Sequence, residues 1–227
     1  MKANAGPIDV LLVGDSITQQ WGSPLDKVAL NESWKKHFSG YKTINIGIPG
    51  DKTQNVLWRL DHGGVEGLQP KVVIVMIGTN NMFFASETGV EAAAKGMQMC
   101  VANVREKFPQ AEVIAAKILP GHAPGQDLYE NIKKTNTVFD TLKLDSDPKV
   151  HVLDLWNDFA NTDGSIKKSL FVPDNIHLSL EGYAVYAERL KPLLDKFLEG
   201  KGLGGDVIIP AKKTDTAASS SPDPVKK

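Results

Sequence analysis

The stretch Ile8-Asp9-Val10-Leu11-Leu12-Val13-Gly14-Asp15-Ser16-Ile17-Thr18 is a largely apolar run that stops abruptly in a small, polar turn. Its apolar part is strand-sized and continuous rather than alternating. That pattern suits a strand covered on both faces, as in a parallel sheet. Gly14 and Asp15 end the run and leave Ser16 at its carboxyl end, where a hydroxyl can be held rigidly at a sheet edge. Four more strand-like runs follow, at 43–48, 72–77, 112–119 and 150–155, and most of the five are apolar throughout.

Helical patterns separate these runs. Residues 53–60 carry Val56, Leu57 and Leu60 on one side. Thr88-Gly89-Val90-Glu91 reads as a capping box opening a helix to about Phe108, with Met97, Val101, Val104 and Phe108 as its apolar stripe. A third helix runs from about Asp127 to Leu144, with Leu128, Ile132, Phe139 and Leu142 inward. The last begins near Ser179 and contains Pro192, which should kink it. Strands alternating with helices at this spacing predict an α/β fold: three layers, α/β/α, around a flavodoxin-like, doubly wound, five-stranded parallel sheet. In such sheets ligands bind beyond the carboxyl ends of the strands.

The chain has 227 residues, which suits one domain, expected over residues 1–200. Residues 201–227 are rich in Gly, Ala, Ser, Pro and Lys, and read as a disordered tail or a linker. Within them, Val207–Pro210 is the one segment with the apolar character to dock back on the domain. The net charge of −1 supplies no basic surplus for phosphate backbones, so nucleic acid is not an expected partner. No run is long enough for a membrane span. The single cysteine, Cys100, excludes a disulfide within the chain and falls on an apolar helix face, as a core residue does. No signal-peptide pattern precedes the first strand, and residues 1–6 fit a cytosolic start or a processed exported protein equally well. Oligomeric state is not legible.

Ser16 gains meaning from the other end of the chain, where Asp174-Asn175-Ile176-His177 precedes the last helix. A serine needs a base to become a nucleophile at neutral pH, and an imidazole titrates in the right range. A carboxylate three residues before the histidine can hold the ring in one tautomer and stabilise the imidazolium that forms. Ser16, His177 and Asp174 are therefore a candidate catalytic triad. The chain lacks the Gly-x-Ser-x-Gly elbow of α/β-hydrolases, the Gly-x-Gly-x-x-Gly turn of dinucleotide binders and any Walker-type loop.

Two further segments follow predicted strands: Asn45-Ile46-Gly47-Ile48-Pro49-Gly50-Asp51-Lys52-Thr53 and Gly78-Thr79-Asn80-Asn81. Together with Gly14-Asp15-Ser16 and Asp174–His177 they resemble, in order, the four signature blocks of the SGNH hydrolases, also called the GDSL family. The resemblance extends over residues 8–198. Ile17 replaces the Leu of the name-giving motif, a swap that keeps bulk and polarity. The run from Gly50 to Leu60 looks most like the branch that contains platelet-activating-factor acetylhydrolase catalytic subunits and bacterial carbohydrate acetylesterases. The resemblance implies an oxyanion hole made by the Ser16 N–H, the Gly50 N–H and the Asn80 side-chain amide. The residue types suit that role, since glycine admits close approach to the backbone and an amide donor does not titrate away. It further implies a serine esterase that hydrolyses short-chain, above all acetyl, esters through an acyl-enzyme on Ser16. The expected substrate is an O-acetyl group on a carbohydrate, with a lipid-type ester as the alternative and a non-catalytic binding module on the same scaffold as a remote one. No cofactor and no metal are implied.

Other residues carry weaker expectations. Asp15 should turn away from Ser16 and bond backbone N–H groups of neighbouring loops. Asp51 and Thr53 should fix the second loop and cap the helix after it. Asn81 should brace Asn80 or line the pocket. Trp21, Phe83 and Phe84 fit a pocket wall and the core equally, whereas Trp58 reads as core. His37, His62, His122 and His151 have no metal-ligand spacing. The loop 120–125 could reach substrate but offers no Arg to an anionic group.

Overall fold

The computed structural model describes residues 6–22, 35–83, 85–125 and 127–198. The tail beyond 198, including Val207–Pro210, and Phe84 lie outside them. Five parallel strands form one sheet: β1 (Gly6–Gly14), β2 (Thr43–Asn45), β3 (Leu68–Met76), β4 (Glu112–Ala116) and β5 (Val150–Leu153). Their order is β2-β1-β3-β4-β5, the flavodoxin-like arrangement expected.

The helices that flank the sheet include α1 (Ser16–Trp21), α2 (Thr53–Asp61), α3 (Glu87–Lys107), α4 (Leu128–Thr141), α5 (Trp156–Phe159) and α6 (Leu180–Phe197). They cover both faces. On one, Leu11 and Val13 of β1 meet Val56 of α2, Val101 and Val104 of α3 and Ile132 of α4. On the other, Val10 and Leu12 meet Ile17 and Trp21 of α1, Phe159 of α5 and Tyr183 and Leu190 of α6. Successive side chains of a strand point to opposite faces, so burying both faces requires every position of β1 from Val10 to Val13 to be apolar.

Local corrections follow from side-chain chemistry. The cap of α3 is Ser86, whose Oγ accepts from the Gly89 N–H at 3.3 Å, two residues before the expected Thr88. Strand β3 starts four residues before the expected Val72, because Leu68–Pro70 continue the pairing with Gly6–Ile8 of β1. Pro70 is tolerated there because pairing with β4 begins only at Val72, so β3 is locally an edge. Helix α6 continues through Pro192.

The chain leaves β1 for β2 on one side and returns to β3 on the other, so the order reverses between β1 and β3. The crevice at their carboxyl ends is where such sheets bind ligands. Ser16 follows β1, Gly50 follows β2 and Asn80 follows β3.

Candidate active site

Gly14 ends β1 where a Cβ would collide with Met76 O and Thr18 Oγ1, so only glycine lets the turn pass this close to β3. Asp15 then caps α1, its Oδ1 accepting from the Ile17 N–H at 3.0 Å. Its side chain does turn away from Ser16, but it serves its own helix rather than neighbouring loops. It is buried, and its Oδ2 has no hydrogen-bond partner among the described residues. Burial pushes the Asp15 carboxyl up to about 7; the Ile17 N–H and the charge of His177 oppose that rise, and the charge of Asp51 adds to it.

The Asp174–His177 loop is built as an Asx turn. Asp174 Oδ1 accepts from the backbone N–H of Ile176 and of His177, both at 2.9 Å. Asn175 between them has φ 59°, a left-handed conformation that Asn tolerates better than most residues. This fold-back aims the other carboxylate oxygen at the ring of its own loop, with Oδ2 2.6 Å from His177 Nδ1. Partial burial pushes the Asp174 carboxyl up, but hydrogen bonds from the His177 ring and from the two backbone N–H groups outweigh it and hold it below the ordinary range. A carboxylate can only accept, so Nδ1 carries the proton and Nε2 presents its lone pair. Nε2 lies 2.8 Å from Ser16 Oγ, in position to accept the hydroxyl proton.

Three bonds fix this loop, one to the turn after β1, one within its own segment and one to the 120–125 loop. The Tyr183 hydroxyl, at the start of α6, donates to Ile17 O at 2.7 Å. The Val172 N–H donates to His177 O at 2.9 Å, and the His122 N–H donates to Asn175 O at 3.0 Å.

The Gly50 loop is joined to the end of β1 by the Ile48 N–H, which donates to Gly14 O at 3.2 Å. Gly50 has φ +80° with open space around a notional Cβ, so its requirement for glycine is conformational rather than steric. Asn80 Nδ2 donates one N–H to Asp51 O at 2.9 Å, which leaves its second N–H available. Neither the Ser16 nor the Gly50 N–H makes a backbone hydrogen bond to a described residue. Ser16, His177 and Asp174 are thus joined directly, and Asn80 is joined to the carbonyl that follows Gly50.

Several expectations are corrected. Asp51 does not cap α2, whose N-cap is Lys52; its carboxylate instead pairs with Arg59 at 2.5 Å. Nothing in the spacing of Asp51 and Arg59 along the chain marks them as partners. Asn81 Oδ1 accepts from the Thr53 N–H at 3.0 Å, so it braces the start of α2 rather than Asn80. Trp21 is a core residue, packed against Phe38, Tyr183 and Tyr186 with ring centroids 4.7–5.4 Å away, and Phe83 packs against the core as well. Trp58 is 62% exposed, because Val56 and Leu60 form the inner face of α2 and a residue two positions from each points the other way. It stacks on His62. His151 pairs with Glu112 at 2.7 Å. Among the described residues, no three His, Cys, Asp or Glu side chains come together as a metal site, and no helix is long and apolar enough to cross a membrane.

The model of the GDSL-like lipase/acylhydrolase family matches residues 12–185, from within β1 to within α6. The chain belongs to the GDSL-like lipase/acylhydrolase family. It is a carboxylic ester hydrolase of that type. Among GDSL relatives it is 34% identical over 204 residues to platelet-activating factor acetylhydrolase IB subunit alpha1 of Pongo abelii, covering 89% of this chain and 83% of that one. It is likewise 34% identical to subunit alpha2 of Rattus norvegicus, over 84% and 78% of the two chains. Its fold is shared by a GDSL-like lipase from Bacteroides thetaiotaomicron (TM-score 0.67, 18% identity, 83% and 88% covered). A carbohydrate acetylesterase from Sinorhizobium meliloti shares it too (TM-score 0.61, 23% identity, 84% and 98% covered).

Proposed function

We propose that this GDSL hydrolase cleaves short-chain esters, acetyl esters above all, through an acyl-enzyme on Ser16. The observation that carries the proposal is the continuous chain from Asp174 Oδ2 to His177 Nδ1 (2.6 Å) and from His177 Nε2 to Ser16 Oγ (2.8 Å). Ser16 Oγ attacks the ester carbonyl while His177 Nε2 takes its proton. Asp174 keeps the ring oriented and stabilises the imidazolium. The N–H groups of Ser16 and Gly50 and the free N–H of Asn80 receive the developing oxyanion, a neutral set of fixed donors that acts without reorganisation. Collapse of the tetrahedral intermediate expels the alcohol, protonated by His177. Water then attacks the acyl-enzyme with His177 again as base, releasing the carboxylic acid and regenerating Ser16.

The acetyl half of the substrate is supported by the platelet-activating factor acetylhydrolase subunits and by the carbohydrate acetylesterase of the same fold, which share the acetyl group and differ in the alcohol. For the alcohol we infer a carbohydrate hydroxyl. The segments that carry the site hold half-buried amides (Gln19, Gln20 and Asn175) that can both donate to and accept from sugar hydroxyls. The second reading is an acetylated lipid alcohol, favoured by the 34% identity to the acetylhydrolase subunits. Hydrolysis rates for p-nitrophenyl acetate, butyrate and octanoate, followed by acetylated xylo-oligosaccharides against an acetylated lysophospholipid analogue, test both halves. The proposal expects acetate to be fastest and the sugar esters to exceed the lipid. A maximum at octanoate would overturn the acetyl assignment, and a preference for the lipid would transfer the alcohol to the second reading.

A further inference from the structure

The structure assigns Arg59 a positioning role: it holds the loop that presents the Gly50 N–H and, through Asp51, orients the Asn80 amide. This rests on the oxyanion reading above and extends it to a residue outside the four signature segments. Arg59 Nε and Nη2 both donate to Asp51 Oδ2, at 2.9 and 2.5 Å, while Nη1 donates to Ile46 O at 3.0 Å. One guanidinium therefore grips residue 46 at the start of the loop and residue 51 at its end, with Gly50 between them. The carbonyl of the same Asp51 accepts from Asn80 Nδ2 at 2.9 Å, so the residue clamped by its side chain is the one whose backbone aims the amide.

The first half of the loop is fixed by the Gly47 N–H, which donates to Asn45 Oδ1 at 2.9 Å, and by the Ile48 N–H on Gly14 O, whereas Gly50 lies beyond these bonds. Gly50 is exposed and adopts φ +80° with nothing within 4 Å of a notional Cβ. Packing therefore does not select its conformation; the Asp51 N–H, which donates to Ile48 O at 3.2 Å, closes the turn around it, and the Arg59 bonds hold Asp51 in place. The Asp51 and Arg59 side chains are only 11% and 16% exposed. With Arg59 removed, the Asp51 carboxylate is left charged and nearly buried, so it is driven toward solvent and carries its own carbonyl with it. Arginine suits this place better than lysine, because its planar fork makes three bonds in two directions where an ammonium acts as a point charge.

The test is steady-state hydrolysis of p-nitrophenyl acetate by Arg59→Met, Arg59→Lys, Asn80→Ala and the Arg59→Met/Asn80→Ala double variant, each with its melting temperature. Displaced donors cost transition-state stabilisation, so Arg59→Met should lower kcat by about 10²-fold with KM within about twofold. Arg59→Lys should recover part of the loss. Because both residues act on one oxyanion, the double variant should be much less impaired than the product of the two single losses. Multiplicative losses, or unchanged kcat in Arg59→Met, would overturn the positioning role while leaving the oxyanion reading intact. Full kcat in Asn80→Ala would overturn the oxyanion reading itself and this proposal with it. If Arg59→Met fails to fold, Asp51→Asn/Arg59→Met, which removes both charges and keeps the Asp51 carbonyl, gives the same readout. Restored stability with low kcat supports the role, and restored kcat overturns it.

Discussion

Ser16 and His177 are separated by 161 residues in the chain, yet Oγ and Nε2 stand 2.8 Å apart. That contact forms because two independently capped turns meet. Asp15 fixes the start of α1, Asp174 fixes the loop before α6, and the Tyr183 hydroxyl ties α6 to Ile17 O.

Asp174→Asn keeps an oxygen able to accept from the Ile176 and His177 N–H groups but no longer dictates the ring tautomer. The expected result is a fall in kcat of up to about 10⁴-fold with little change in KM, measured on p-nitrophenyl acetate. Folding lowers the Asp174 carboxyl, so its contribution to stability is present above its ordinary value of 3.8 and is lost as pH falls through the depressed one. The variant should therefore differ from the parent in stability at neutral pH and converge with it in acid. Chemical denaturation at pH 3 and pH 7 reads this directly.

Asn80→Ala should lower kcat by about 10²–10³-fold, the usual cost of one oxyanion donor. Gly50→Ala places a side chain where there is room but where φ is +80°, a strain of about 1–2 kcal/mol. A turn that relieves that strain rotates the N–H away from the site. The expected signature is lowered kcat with a melting temperature close to the parent's, and an unchanged kcat would count against a role for the Gly50 N–H.

Asp15 predicts an opposite pH dependence of stability. Its carboxyl is pushed up to about 7 in the folded protein from an ordinary 3.8. Between those values the folded state holds a proton that the unfolded state has lost, so the stability Asp15 contributes relative to its ionised form is fully present below about pH 4 and is lost as pH rises through about 7. The difference amounts to about 4 kcal/mol. Asp15→Asn stays neutral and keeps the cap on Ile17. Denaturant midpoints at pH 4.5, 6 and 8 should fall for the parent more steeply than for the variant. Parallel curves would contradict the assignment.

Cys100 should be inert. It is buried, its thiol is pushed up to about 12 by burial, and its Sγ–H faces Thr53 O at 3.5 Å. Iodoacetamide at pH 8 should leave the native enzyme unmodified and fully active, with alkylation seen only after unfolding.

The sheet was legible because both of its faces are covered. Val10 to Val13 and Val72 to Ile77 had to be apolar throughout, and that is a one-dimensional signal. Ser16, Asp174 and His177 were legible because they fall at ends of elements in a recognisable order. What escaped was set by contacts between elements. The ion pair of Asp51 with Arg59, and the bond from Arg59 to Ile46 O, join positions whose spacing carries no periodic meaning. Trp58 was misread because an aromatic near an apolar stripe resembles core until the helix is placed and Val56 and Leu60 are seen to face inward. The first residues of β3, Leu68-Gln69-Pro70, carry no apolar run, and only the register with β1 and β4 shows that they pair along a local edge.

The central claim is that Ser16 forms the covalent intermediate. Inactivation with a fluorophosphonate ester, followed by peptide mapping in a mass spectrometer, tests it most directly. The account predicts one adduct per chain, located on Ser16 and formed in step with loss of esterase activity, with neither labelling nor measurable turnover in Ser16→Ala. Inactivation with the adduct elsewhere, or a Ser16→Ala variant that hydrolyses p-nitrophenyl acetate at the parent rate, would contradict it.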